Sequence, residues 1–332
     1  MSEVNSTFTT QENRKAGGRV SRPSAVLRAR QDRAAQRIFF AITILPILLI
    51  LIVTIALFAR ALPILEAHSL SSLIFGEVWK PNNGQFGFLP FIMGTVWVTV
   101  VGVLLSVPAC LLASVYLAEY AHARVRAVTK PILDVLAAIP PVVYGVWGLL
   151  AIVPFVDEVL APLFDRWLGF IPLFAVTQPT GFGILSGGIV LAVMIAPLII
   201  SVTFEVFSTV PNDLRHASLA VGATKWQTIR NIVLPQVTPG IIAAVVLAAS
   251  RAFGETIAVL MVVGNVPNMP TSIFDSAYPL PALIANNYGE MMSIPLYDAA
   301  LLGAALVLLV VILIFNILST LVLQRFLRRK WA

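Results

Sequence analysis

Six stretches of this chain are long and apolar enough to cross a membrane as helices, at about residues 38–60, 89–115, 131–155, 183–207, 239–262 and 298–322. A helix rises about 1.5 Å per residue, so roughly 20 apolar residues span the hydrocarbon core. Lipid offers the backbone no water to bond, so each span must close its own hydrogen bonds as a helix. Charged residues make up 11% of the 332 residues, against about 25% in a soluble domain. The chain therefore reads as an all-α integral membrane protein with six transmembrane helices. Its net charge of +6 does not imply nucleic acid, because the basic residues lie outside the spans, where they set orientation in the membrane.

Residues 1–37 form a basic tail holding Arg14, Lys15, Arg19, Arg22, Arg28, Arg30, Arg33 and Arg37. The apolar run that follows is too long for a cleaved signal. Residues 38–332 form the membrane domain. Placing the tail in the cytoplasm also puts Arg124, Arg126, Lys130, Arg215, Lys225, Arg230 and the C-terminal Arg325, Arg328, Arg329 and Lys330 on that side. The outer segments then keep only Arg60, Lys80 and Arg166. This asymmetry predicts a multi-pass plasma (inner) membrane protein with both termini cytoplasmic. The tail is read as a topology anchor, with anionic lipid as a second contact. Cys110 is the single cysteine and His68, His122 and His216 are scattered, so no metal site or cofactor is expected.

The loop between spans four and five runs from Pro211 to Pro235. Pro211 suits the first turn of a helix that places Leu214, Ala217, Ser218 and Val221 on one face. Gly222 then permits a turn. A second short helix carries Trp226 and Ile229, and Pro235 and Pro239 are read as its end. Such a half-apolar, half-basic unit must lay its apolar face on lipid headgroups or on a protein groove.

The loop resembles the EAA loop of ABC importer permeases. His216-Ala217-Ser218, Gly222 and Ile232-Val233-Leu234-Pro235 stand at the family's Glu-Ala-Ala, Gly and Ile/Leu-Pro positions, with His216 replacing the glutamate and Ser218 the second alanine. The resemblance implies the type I ABC importer permease fold. It also implies that His216, Ala217, Ser218, Gly222, Trp226, Leu234 and Pro235 form the coupling loop on an ATPase.

Inside span five lies Arg251-Ala-Phe-Gly-Glu255-Thr256. A charge at bilayer depth costs about 2.5–3.5 kcal/mol on insertion scales, so both charges must face protein, water or each other. The spacing predicts Arg251 and Glu255 on one helix face as an i, i+4 pair, with Gly254 admitting a neighbouring backbone. The pair either locks helix packing or lines a solute path with Thr256. A guanidinium suits a tetrahedral oxyanion through two parallel hydrogen bonds, and the carboxylate would weaken its retention.

The stretch Ser250–Asn265 is similar to the permeases of phosphate-specific (Pst) transporters of the PstC type. So is Asp134-Val-Leu-Ala-Ala-Ile-Pro140-Pro141-Val-Val-Tyr144-Gly145, where Pro140 and Pro141 are expected to kink the third span. The likeness covers about residues 88–325, which would be the importer core. It implies a phosphate permease subunit forming half of the translocation path. The implied partners are a second permease (PstA type), an ATPase dimer (PstB type), an external phosphate-binding protein (PstS type) and membrane lipid. The chain has no Gly-Lys-Ser/Thr, hence no P-loop, so ATP hydrolysis is expected in a separate chain and this one is not expected to be an enzyme. Three rivals stand beside this reading. They are a permease for molybdate or sulfate, an ion-coupled secondary transporter with broken helices, and an intramembrane enzyme, for which no nucleophile motif is present.

Overall fold

The computed structural model describes residues 25–176, 180–290 and 294–330. The tail residues Arg14, Lys15, Arg19 and Arg22 lie outside the described residues, as do the side chains of Arg28, Arg30, Arg325, Arg328, Arg329 and Lys330. The chain divides into two units, residues 1–54 and 55–332. The first contributes the opening part of helix α1 (Ala25–Ala67), where the large apolar residues from Ile38 to Val53 are exposed.

The second unit continues α1 and adds the short helix α2 (Leu70–Phe75) and a small hairpin, β1 (Trp79–Lys80) with β2 (Gln85–Phe86). Then follow α3 (Leu89–Tyr120), α4 (Ala123–Ala138), α5 (Pro141–Leu168) and α6 (Ile184–Ser208). The loop helix α7 (Asn212–Ala220) leads to α8 (Lys225–Phe253), the single-turn α9 (Ile257–Leu260), α10 (Leu280–Asn287) and α11 (Tyr297–Lys330). Six of these helices are long and apolar enough to span a membrane: α1, α3, α5, α6, α8 and α11.

α6 is the most buried span. Val190, Leu191, Ile195 and Ile199 are fully enclosed between α3, α5 and α8. In lipid, helices associate through packing rather than water exclusion, so small residues at crossings matter most. A Cβ on Gly188 would lie 2.5 Å from Val101 Cγ1, and one on Gly102 would lie 3.2 Å from the Gly188 carbonyl. These two glycines bring α3 and α6 into backbone contact. A second cluster joins Ala61 and Ile64 of α1 to Phe88, Phe91, Leu280 and Tyr297, around the ring of Trp79. The buried Thr95 hydroxyl accepts from the Leu280 N–H at 2.8 Å, tying α10 to α3.

Two span boundaries differ from the sequence reading. The third span begins at Pro141 and runs to Leu168 instead of covering 131–155. The double proline separates two helices where the sequence predicts a bend. A residue before proline is pushed out of the α region, and two in succession are affected. Ile139 and Pro140 adopt φ/ψ of −61/129 and −59/138. The fifth span is one helix from Lys225 to Phe253, so Pro235 and Pro239 do not end a shorter one. A π turn at Ile229–Val233 widens the helix immediately before Pro235, which accommodates a ring that would clash with a regular turn.

Candidate functional site

α8 ends two residues after Arg251. The Gly254 N–H bonds the Arg251 carbonyl and the Glu255 N–H bonds the Ala252 carbonyl, each at 3.2 Å, closing the helix in a tight turn. Glycine holds a helix poorly, and the polar pair behind it finds local bonds instead. The Glu255 carboxylate accepts from the Ala258 N–H at 3.3 Å, capping α9, and the Thr256 hydroxyl donates to the Gly254 carbonyl at 3.2 Å. Arg251 and Glu255 therefore stand on either side of a helix break rather than on one helix face. Among the described residues they form no ion pair. Arg251 is exposed, while Glu255 and Thr256 are half-buried.

The same level of the molecule holds the other break. The buried Tyr144 hydroxyl donates to the Leu136 carbonyl at 2.8 Å, spanning the gap between α4 and α5. Gly145 faces α9 so closely that a Cβ there would lie 2.6 Å from Met261 Sδ and 3.2 Å from Ala258 Cα. The close approach expected at Gly254 occurs at Gly145, because a Cβ on Gly254 would meet only the Arg251 carbonyl at 3.7 Å. Ser250 bonds Asn316 Oδ1 at 2.7 Å, and Phe253 packs on Phe315 with ring centroids 4.8 Å apart, so α11 closes one flank. The fold thus packs the start of α5 against α9, the single turn that follows Arg251–Thr256. The small cavity beside Glu255, lined by Thr95, Thr99 and Phe253, measures about 10 Å³, room for no more than one water.

The loop predicted as a contact surface is built differently. Pro211 precedes α7 instead of lying in its first turn, and Gly222 takes φ +87, a region that glycine enters without strain. Thr224 and Gln227 form a reciprocal capping box that starts α8. Leu214, Val221 and Trp226 are exposed, the last two at 84% and 53%, and His216 and Ala217 are exposed with them. Ser218 turns inward to bond the Thr228 hydroxyl at 2.9 Å, while Leu234 and Pro235 are half-buried at the helix root. The sites thus form two groups, with the loop residues apart from the breaks.

Sequence reasoning missed three features. Glu119 accepts the Arg215 guanidinium at 2.8 Å in a pair whose side chains are 7% and 17% exposed. Asn316 is a lone polar residue in an apolar run, which is the signal that could have flagged it. A cleft of about 430 Å³ between α4 and the ends of α3 and α6 is lined by Arg126, Lys130, Asp134 and Glu205, with Lys130 and Glu205 3.9 Å apart and largely exposed.

Residues 110–329 match the family model described as the inner membrane component of binding-protein-dependent transport systems. The chain belongs to this family. It is an inner membrane permease subunit of an ABC importer, with the type I permease fold. The chain is 35% identical over 296 residues to the phosphate transport system permease protein PstC of Mesorhizobium japonicum, covering 87% of this chain and 90% of the relative. It is also 35% identical over 287 residues to the PstC protein of Xylella fastidiosa, covering 84% and 88%. A solved bacterial alginate ABC transporter aligns over 87% of this chain and 94% of its own, at 18% identity and a TM-score of 0.58. That likeness concerns the fold alone.

Proposed function

We propose that this chain is the PstC-type permease subunit of an ATP-driven phosphate importer. It works with a second permease of the PstA type, two PstB-type ATPases and an external PstS-type phosphate-binding protein. Both termini face the cytoplasm, a reading that the Lys and Arg distribution supports. The relatives named for phosphate transport support the choice of solute.

One observation carries the reading: Arg251 is a cation exposed in the last turn of α8, beside the break that ends that helix, with no ion pair among the described residues. A guanidinium in that position offers a passing oxyanion two parallel hydrogen bonds. Glu255 stays close in sequence but is engaged in capping α9. Its charge limits how tightly an anion is held, which a pathway residue must do. The roughly 10 Å³ beside Glu255 is too small for phosphate, so the second permease completes the route. Leu214, Val221 and Trp226 supply the exposed apolar face for the ATPase.

The decisive experiment is uptake of labelled phosphate by the reconstituted complex, with molybdate and sulfate as competitors. Uptake that needs ATP and ignores both competitors is the expected result. Preferential uptake of another oxyanion would replace phosphate as the solute. Helix breaks also occur in secondary transporters, and that reading would require uptake to persist without nucleotide. Trp226→Ala is expected to reduce ATPase co-purification without changing insertion.

A further inference from the structure

The last turn of α3 is a π turn, Tyr116–Tyr120. Three consecutive residues in it each receive a cation from a different neighbouring element. The Ala118 carbonyl accepts from Arg126 Nη2 of α4 at 2.7 Å. Glu119 Oε1 accepts from Nε and Nη2 of Arg215 on α7, at 3.2 and 2.8 Å. The Tyr120 ring lies 4.8 Å beneath the Lys225 ammonium, at the start of α8.

Arg215 binds more than Glu119. Its Nη1 donates to the Val210 carbonyl at 2.6 Å and to Asn212 Oδ1 at 3.3 Å, and its Nη2 donates to the Phe207 carbonyl at 3.0 Å. Phe207 and Val210 lie at the C-terminal end of α6, where helix carbonyls lack partners and the dipole favours a cation. One side chain therefore joins α3, α6 and α7. Beneath it, Phe207, Val210, Val233 and Val237 form a separate buried apolar cluster. On α7 and the turn after it, Leu214, Leu219 and Val221 are exposed.

We infer that the π turn of α3 is the internal seat of the α7–α8 loop, and that Glu119 and Arg215 are positioning residues that make loop and helix bundle move as one body. This rests on the loop being the surface that an ATPase displaces. A force on the outer face of α7 then reaches α3 and α6 directly through the buried pair, besides passing along the chain into α8. The fork geometry matters because a guanidinium bonds Glu119 and two backbone carbonyls at once, which an ammonium cannot do in the same arrangement.

Two measurements test it. The first is the spin-label distance between Leu112→Cys on α3 and Ala220→Cys on α7, both exposed, in a Cys110→Ala background, within the assembled complex. A narrow distribution is expected for native residues at 119 and 215, and a broadened one for Glu119→Gln. Arg215→Lys, which keeps the charge and loses the fork, should broaden it less. It also serves as the test variant if Glu119→Gln does not insert. An unchanged distribution in the inserted variant overturns the inference. The second is phosphate taken up per ATP hydrolysed. Glu119→Gln should lower this ratio by about tenfold, the scale of one charge-assisted hydrogen bond, while hydrolysis continues. A parallel fall in both rates, or no fall, overturns the inference. A native complex that neither hydrolyses ATP nor moves phosphate would instead defeat the importer reading, and the label distances would still decide whether the seat is rigid.

Discussion

Arg215 and Arg251 place the same side chain in opposite circumstances. Arg215 is 17% exposed and donates five hydrogen bonds to groups of its own chain. Arg251 is exposed, and among the described residues it forms no ion pair. The first guanidinium is consumed by the fold. The second is held two residues before a backbone break and is exposed. Arg251 lies within a span, where a charge is costly to insert unless protein, solute or water compensates it, whereas Arg215 lies on the loop helix outside the spans and is compensated by partners in its own chain. Under the two proposals above, the comparison separates a charge that would transmit force from one that would meet cargo.

The largest expected effect comes from Arg215→Met. It strands the buried Glu119 carboxylate, and removing one partner of such a pair costs about 3–5 kcal/mol. The melting temperature of the detergent-purified subunit should fall sharply. Arg251→Gln should leave that temperature nearly unchanged while cutting phosphate uptake about 100-fold, the scale of a lost hydrogen bond to a charged group. If both substitutions lower stability equally, the contrast between the two arginines breaks. Gly145→Val sharpens it from the side of packing. Its branched side chain must displace Met261 and Ala258, a strain of about 1–3 kcal/mol, so uptake should fall together with thermal stability. Tyr144→Phe should have the smallest effect. It removes the bond to the Leu136 carbonyl, worth about 1 kcal/mol, and uptake should fall only a few-fold.

Much of the fold was legible because lipid imposes a simple rule on composition: six apolar runs gave six spans. The ends of spans three and five were not. Pro140 and Pro141 announce a disturbance, but whether it bends or interrupts the helix depends on two successive residues being forced extended. Pro235 looks like a stop and is none, because the π turn before it makes room. Gly254 looks like a packing glycine, yet it marks the end of α8. At the site, the intramembrane charges pointed to Arg251 and Glu255, whereas their separation by a break was invisible in an i, i+4 spacing. Glu119 and Arg215 lie 96 residues apart, and nothing local in either segment announces the pairing.

The π turn at Ile229–Val233 has one more consequence. Each residue advances an α-helix by about 100°, and a π turn carries one residue more than a regular turn does. A chain shortened by a single residue there would still be helical from the loop to the break. A regular turn and a π turn each complete one revolution, so Arg251 at the far end would keep its facing, and the helix would lose the room that the π turn makes for Pro235. One surplus residue therefore lets a proline sit inside a continuous α8 without changing which way the helix faces beyond it.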